Sequence, residues 1–242
     1  MLSKALDVAE ALRYPGGRRA LMKSRPRSIT SWLIINRLRE LGVTFQTIID
    51  GGANIGQFAR AAHLCFQDAS ILSFEPLPDI ADQLEANLSD VARHAIFRSA
   101  LGNNDGETEF NRNSNSQASS VLPLLQTPGG LTEDTKETEH LRVPIGRLDT
   151  LLKEHSLKSA VLLKLDLQGY ELEALKGANN TLQQCSHVLL ETVFDREYGD
   201  EPLFEEIWGY LREQGFQFER PLNVSKGSSG SIVQMDALFR RR

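Results

Sequence analysis

The pattern of apolar positions changes character near residue 46. Before it, Leu2, Leu6, Ala9 and Leu12 recur at helical spacing until Pro15-Gly16-Gly17 breaks the run. Trp32, Leu33, Ile35, Leu38 and Leu41 predict a second helix, with Thr30 or Ser31 near its cap and Gly42 just past its end. From residue 47 short β-branched runs alternate with helical patterns, the signature of parallel βαβ units. Strands are predicted at Thr47–Asp50, Ser70–Glu75, Ala95–Ala100, Leu141–Pro144, Val161–Asp166, Ser186–Thr192, Phe216–Glu219 and Ile232–Phe239. Helices are predicted at Ile55–Phe66, Pro78–Leu88, Leu148–His155, Tyr170–Lys176 and Leu203–Gln214. Residues 102–140 are polar, with a Pro128-Gly129-Gly130 turn, and read as a long functional or mobile excursion. The expected organisation is a helical extension over residues 1–46 and one α/β domain over residues 47–242.

Composition narrows the function classes. The chain has 242 residues, Lys+Arg 27 and Asp+Glu 32, a net charge of −5 that argues against a dedicated DNA binder. Two cysteines, Cys65 and Cys185, exclude a disulfide framework and a four-cysteine metal site. No apolar run is long enough for a membrane-spanning helix, and Asp7 and Glu10 interrupt any signal-peptide core, so the expected compartment is the cytoplasm. Six basic residues and no acidic one lie between Arg13 and Arg27, which is either a solvated face or a site for an anionic partner.

The chemistry concentrates at strand ends. In Ile48-Ile49-Asp50-Gly51-Gly52-Ala53-Asn54-Ile55-Gly56 a strand ends in an acid and a Gly-rich turn opens a helix. In open α/β sheets ligands sit at such ends. Gly51 and Gly52 allow close backbone approach, Asn54 tolerates a left-handed conformation, and the helix N-terminus offers N–H groups to an anion. The G-x-G-x-x-G dinucleotide fingerprint is absent. The Asp50-x-Gly52-x-Asn54-x-Gly56 spacing instead resembles motif I of class I S-adenosylmethionine-dependent methyltransferases, and the acid suits the ammonium of a methionine moiety. Glu75 closes the next strand, 19 residues beyond Gly56, where a carboxylate can accept ribose hydroxyls, and Pro76 follows it. Ala100 and Leu101, at the end of the third strand, hold the position that flanks an adenine ring.

Lys164, Asp166 and Gln168 alternate at the end of Val161–Asp166 and can point one way, into the crevice. They form either a structural ion pair or a ligand site. The Asn/Asp-Pro-Pro-Tyr element of amino-group methyltransferases does not appear there. Glu191 ends Ser186–Thr192 on the same crevice edge. His140, after the polar excursion, could swing over a site as a base, and Ser119 and Ser120 fall where a lid would be.

Asp50–Gly56, Phe74-Glu75-Pro76, Arg147-Leu148-Asp149, Lys164-Leu165-Asp166-x-x-Gly169-x-Glu171 and Lys176-Gly177-Ala178 occur in that order, and Gln234–Phe239 also fits. Together they resemble the FkbM family of methyltransferases over residues 47–194. The resemblance implies a class I Rossmann-like fold: a mostly parallel seven-stranded sheet with helices on both faces and an antiparallel last strand. It implies S-adenosyl-L-methionine as cofactor and O-methylation of a sugar, glycan or secondary-metabolite hydroxyl. Cofactor contacts are expected at Asp50, Gly51, Gly52, Asn54, Gly56, Glu75, Pro76, Ala100 and Leu101. Asp166 is expected to orient or deprotonate the acceptor hydroxyl, with Lys164 and Glu191 beside it, and no metal is expected. One departure is Gln168, where many members carry Glu. Two alternatives stay open: an RNA or nucleotide methyltransferase that uses the basic segment, and a non-catalytic Rossmann-like binding protein.

Overall fold

In a computed structural model, which describes residues 2–22, 25–125, 135–227 and 230–242, the apolar runs at Thr47–Gly51 (β1) and Val161–Leu165 (β7) are buried at every position. Full burial is the mark of central parallel strands covered on both faces. Ser70–Phe74 (β2) and His94–Phe97 (β3) flank β1, and Cys185–Val193 (β8), Ile232–Arg241 (β10) and Phe216–Lys226 (β9) extend beyond β7. The seven-stranded sheet runs β3-β2-β1-β7-β8-β10-β9. All pairs are parallel except those made by β10, which runs antiparallel to both neighbours. Strand order reverses between β1 and β7, so the crevice for a ligand opens at their carboxyl ends.

Neighbouring strand residues feed opposite layers. Ile48, Leu162 and Leu189 point into one hydrophobic cluster, and Ile49, Leu163 and Leu190 into another. The first cluster is closed by Ile29–Arg39 (α3), Gln57–Cys65 (α4) and Pro78–Asn87 (α5). Leu2–Arg13 (α1) and Gly17–Met22 (α2) cap α3, and Trp32 Nε1 donates to Ala11 O at 3.1 Å. The second cluster is closed by Leu148–Leu151 (α6), Glu171–Lys176 (α7), Asn179–Gln184 (α8) and Phe204–Glu213 (α9).

Four sequence expectations change. The strand expected at Ala95–Ala100 divides: β3 stays in the main sheet, and Ala100–Leu101 (β4) joins a second sheet of order β4-β6-β5. That sheet is built from the polar excursion, where Gly106–Asn113 (β5) pairs antiparallel with Glu137–Gly146 (β6). The buried residues of β5 are Phe110 and the polar Asn111 and Asn113, so Phe110 is its one buried apolar residue and the alternation that announces a strand is lost. His140 therefore sits in β6, exposed, with Nδ1 2.9 Å from Asn111 Oδ1, and is not a loop residue free to swing. α2 and α8, six residues each, are too short to show a helical period. The Pro128-Gly129-Gly130 turn lies outside the described residues.

Candidate active site

β1 leads through Gly52–Gly56 into α4. Gly52, Asn54 and Gly56 take φ of +71°, +48° and +93°, the left-handed region that glycine and asparagine enter most readily. What glycine admits here is protein. A Cβ on Gly52 would lie 1.9 Å from Asp166 O, and one on Gly51 would meet Leu165 Cδ2 at 2.8 Å. At Gly56 a Cβ would meet Leu84 Cδ1 at 2.8 Å, so this residue lets α4 approach α5. The turn is packed down onto the end of β7, and that contact fixes its shape.

Lys164 makes the contact rigid. Its Nζ donates to Gly51 O at 3.1 Å and Gly52 O at 3.0 Å, and lies 3.0 Å from Asp50 Oδ1. Asp50 is fully buried beneath the turn and does not reach the cavity wall. Among the described residues no other donor serves its carboxylate. Burial pushes the Asp50 carboxyl above its ordinary value, and Lys164 pulls the other way. Burial works against the Lys164 charge, yet Asp50 and Asp166 outweigh it and hold the ammonium above its usual value.

Glu75 follows β2 and bridges two turns. Its Oε2 accepts from Asn54 N at 3.0 Å and its Oε1 from Leu77 N at 2.9 Å. Each oxygen keeps a lone pair for a further donor. Burial raises the carboxyl to about 7, against those two backbone bonds, which favour the charge. Glu75 and Pro76 share a cavity of about 470 Å³ with Gly52, Asn54, Ala100 and Leu101, the last two delivered by β4. Gly56 and Gly51 stand behind this wall. Asn54 Nδ2 donates to Ser116 Oγ at 3.0 Å, which ties the turn to a short 3-10 helix, Ser116–Ala118, along the cavity.

The other end of the same cavity is acidic. Asp166, just past β7, is 42% exposed at its side chain. Gln168, at φ +54°, donates from Nε2 to Asp166 Oδ1 at 2.7 Å and to Glu191 Oε1 at 3.1 Å. Tyr198 Oη lies 2.9 Å from Gln168 Oε1 and 3.0 Å from Ala118 O, so one buried phenol fixes the amide's orientation. Asp236 on β10 is the cross-strand partner of Glu191 on β8. Burial, with Asp166 and Asp236 nearby, holds the Glu191 carboxyl well above its ordinary value. Burial, with Asp166, takes Asp236 to about 6. Glu201 is also buried, with Oε2 accepting from Glu197 N and Tyr198 N, and is raised chiefly by burial. Ser120 sits against this end, Oγ donating to Gln168 O at 2.7 Å, and Ser119 Oγ accepts from Asn113 N at 3.0 Å.

The sequence-stated candidates thus fall into three sets. Gly52, Asn54, Glu75, Pro76, Ala100 and Leu101 face one end of the cavity; Asp166 and Glu191 face the other, with Lys164 between them. Asp50, Gly51 and Gly56 support from behind. The sequence marks Thr30 and Ser31 only as caps of α3, a role Ser28 takes instead, and gives no sign of Tyr198 or Glu201; all four line the cavity. An acid inside the apolar run of β10 was the available signal for Asp236.

The methyltransferase FkbM domain profile matches residues 50–218. The chain belongs to the FkbM methyltransferase family. Similar proteins include the hexuronic acid methyltransferase of Haloferax volcanii, 29% identical over 65% of this chain and 60% of that one. They also include a 2-O-methyltransferase of Sinorhizobium fredii, 26% identical over 65% of each. The match thus spans less than two thirds of the length of either relative. Among solved structures, one from Klebsiella pneumoniae assigned as an O-methyltransferase superposes with TM-score 0.53 at 14% identity, over 100% of this chain and 94% of that one. Another, from Pyrococcus horikoshii and assigned as an RNA methyltransferase, gives 0.51 at 13%, covering 100% and 99%. The fold is that of class I methyltransferases. The remaining FkbM motifs serve the frame: Asp149 accepts from Asn180 N, Thr181 N and Thr181 Oγ1, capping α8, and a Cβ on Gly177 would lie 1.9 Å from Gly102 O. No helix among the described residues is long and apolar enough to cross a membrane.

Proposed function

We propose that the protein is an S-adenosylmethionine-dependent O-methyltransferase acting on a hydroxyl of a sugar, glycan or secondary metabolite. The observation that carries this is the two-ended cavity: the Gly52–Gly56 turn and Glu75 at one end, Asp166 and Glu191 at the other, at the point where strand order reverses. Its volume is in the range of small-molecule sites. The open lone pairs of Glu75 suit a pair of ribose hydroxyls, while the turn N–H groups of Gly52, Ala53, Asn54 and Gly56 are engaged within the protein and brace the turn. When bound, S-adenosylmethionine supplies a methyl group already activated on a sulfonium.

The chain's own task is positioning. Asp166 is the exposed carboxylate of the inner end and accepts the acceptor's O–H, orienting the oxygen and taking its proton. Glu191, whose carboxyl favours its proton, serves as a neutral hydrogen-bond partner to the acceptor. Gln168 holds both carboxyls at fixed separation, with Tyr198 locking the amide. The 2-O-methyltransferase and hexuronic acid methyltransferase relatives support a carbohydrate acceptor. The test is mass spectrometry of a panel of sugars and glycans incubated with S-adenosylmethionine and either wild type or Asp166→Asn. One added methyl group with wild type and at least about a hundredfold slower transfer with the variant is expected. Equal rates would remove Asp166 from the chemistry, and no methylation of any hydroxyl compound would count against O-methylation.

A further inference from the structure

Residues 11–39 contain eight Lys and Arg residues and no Asp or Glu, in a chain whose net charge is −5. Within the segment Arg37 pairs with Glu10; outside it Arg60 pairs with Asp90, Arg98 with Asp82 and Glu85, and Arg112 with Asp79. Arg18, Arg25 and Arg27 are exposed, and among the described residues none of them meets a carboxylate. The segment that carries Arg25 and Arg27 is nevertheless pinned. Arg60, nearly buried, donates from Nε to Arg25 O at 3.0 Å while its other nitrogens grip Asp90, and Pro26 is buried. Ser28 caps α3, its Oγ accepting from Ser31 N at 3.0 Å.

The pinned segment stands at the cavity. Arg27, Ser28, Gln57 and Arg60 line a shallow depression, and Ser28 and Gln57 also line the main cavity. Arg27 thus puts positive charge beside the cavity, with Arg25 exposed two residues before it, while the inner end carries Asp166, Glu191, Glu201 and Asp236 with Lys164 as the cation among them. An anion is repelled from the inner end and attracted to the rim, and a hydroxyl is welcome inside. Such a field orients an acceptor that has a phosphate at one end and hydroxyls at the other.

We propose that the acceptor is a phosphate or diphosphate ester of a sugar, with its phosphate seated on Arg25 and Arg27 at the rim and its hydroxyl end directed to Asp166. This rests on the methyltransferase function proposed above. The same chemistry is shared by a soluble and a lipid-borne ester, and the assay separates the two. The full chain is titrated calorimetrically with inorganic pyrophosphate, with and without S-adenosylhomocysteine, as wild type and as Arg25→Ala/Arg27→Ala. Vesicles of phosphatidylglycerol and a short oligouridylate are tested alongside.

Pyrophosphate is expected to bind wild type, more weakly as salt rises, and the double variant to lose about tenfold or more with its S-adenosylhomocysteine affinity unchanged. Wild-type binding of pyrophosphate without vesicle sedimentation indicates a soluble ester; sedimentation that the variant loses indicates a lipid-borne one. No pyrophosphate heat, or equal affinity in the variant, overturns the proposal. So does oligouridylate binding far tighter than pyrophosphate and lost in the variant, which would assign the rim to nucleic acid. Should the alanine pair melt early, Arg25→Gln/Arg27→Gln gives the same comparison. Failure of S-adenosylhomocysteine alone to bind would sink the methyltransferase function, whereas the pyrophosphate titration without it still decides the rim.

Discussion

Lys164→Met is the substitution whose cost the structure fixes most tightly. It removes the one cation that, among the described residues, lies within reach of the fully buried Asp50, and two hydrogen bonds to the carbonyls of Gly51 and Gly52. Stripping one partner from a buried ion pair costs about 3–5 kcal/mol, because the other charge is left uncompensated. Against a typical stability of about 5–15 kcal/mol, the variant folds but with much of its margin gone. The loss depends on pH with a definite sign. Asp50 already sits above its ordinary value through burial, with Lys164 opposing, so removing Lys164 raises it further. A carboxyl raised in the folded state contributes stability below its unfolded value and loses it as pH rises through the folded one. The deficit of Lys164→Met is therefore largest in mild alkali and shrinks on acidification, as Asp50 takes up a proton. Asp50→Asn/Lys164→Met, which leaves no charge at this pair, recovers more than half of the loss. Urea unfolding of wild type, Lys164→Met and the double variant at about pH 8 and about pH 5.5 measures this. A single variant within about 1 kcal/mol of wild type at the higher pH, or a double variant no better than the single, would refute the brace.

Two glycines separate backbone strain from crowding. Gly42 and Gly52 have similar positive φ, but a Cβ on Gly42 meets nothing within 4 Å and one on Gly52 lies 1.9 Å from Asp166 O. Gly42→Ala should cost about 1 kcal/mol and Gly52→Ala several times that, read as shifts in denaturant midpoint, with equal costs counting against the packed turn. Asp149→Ala should lose about 1–2 kcal/mol through the uncapped α8, by the same measurement. Glu75, raised to about 7 by burial, should bind S-adenosylhomocysteine as a carboxylate. Wild-type affinity should then fall by up to about tenfold per pH unit below that value, and Glu75→Gln should flatten the profile.

The sheet was legible because its strands are buried on both faces, and continuous runs such as Ile48–Ile49 and Val161–Leu163 need no alternation to be seen. Glycine and acid at strand ends placed the turn, Glu75 and Asp166 on one edge without coordinates. The second sheet was illegible for the opposite reason: the first half of β5 is largely exposed and the buried residues of its second half are mostly asparagine, so its sequence reads as a polar loop. Tyr198 and Glu201 could not be found because nothing in their local pattern distinguishes them. They reach the cavity only because the segment after β8 folds back over Gln168. Gly52 was noticed, but its reason changed: the carbonyl of Asp166 is 114 residues further along the chain and meets it only through the pairing of β1 with β7.

The claim beneath all of this is that the glycine turn and Glu75 together hold an adenosyl sulfonium compound. Calorimetric titration with S-adenosylhomocysteine, on wild type and on Glu75→Ala, tests it most directly. The expected result is one site per chain in wild type, and a loss of at least about tenfold in the variant, since two hydrogen bonds to a charged group are at stake. No binding by wild type, or an affinity untouched by removing the Glu75 carboxylate, would contradict it.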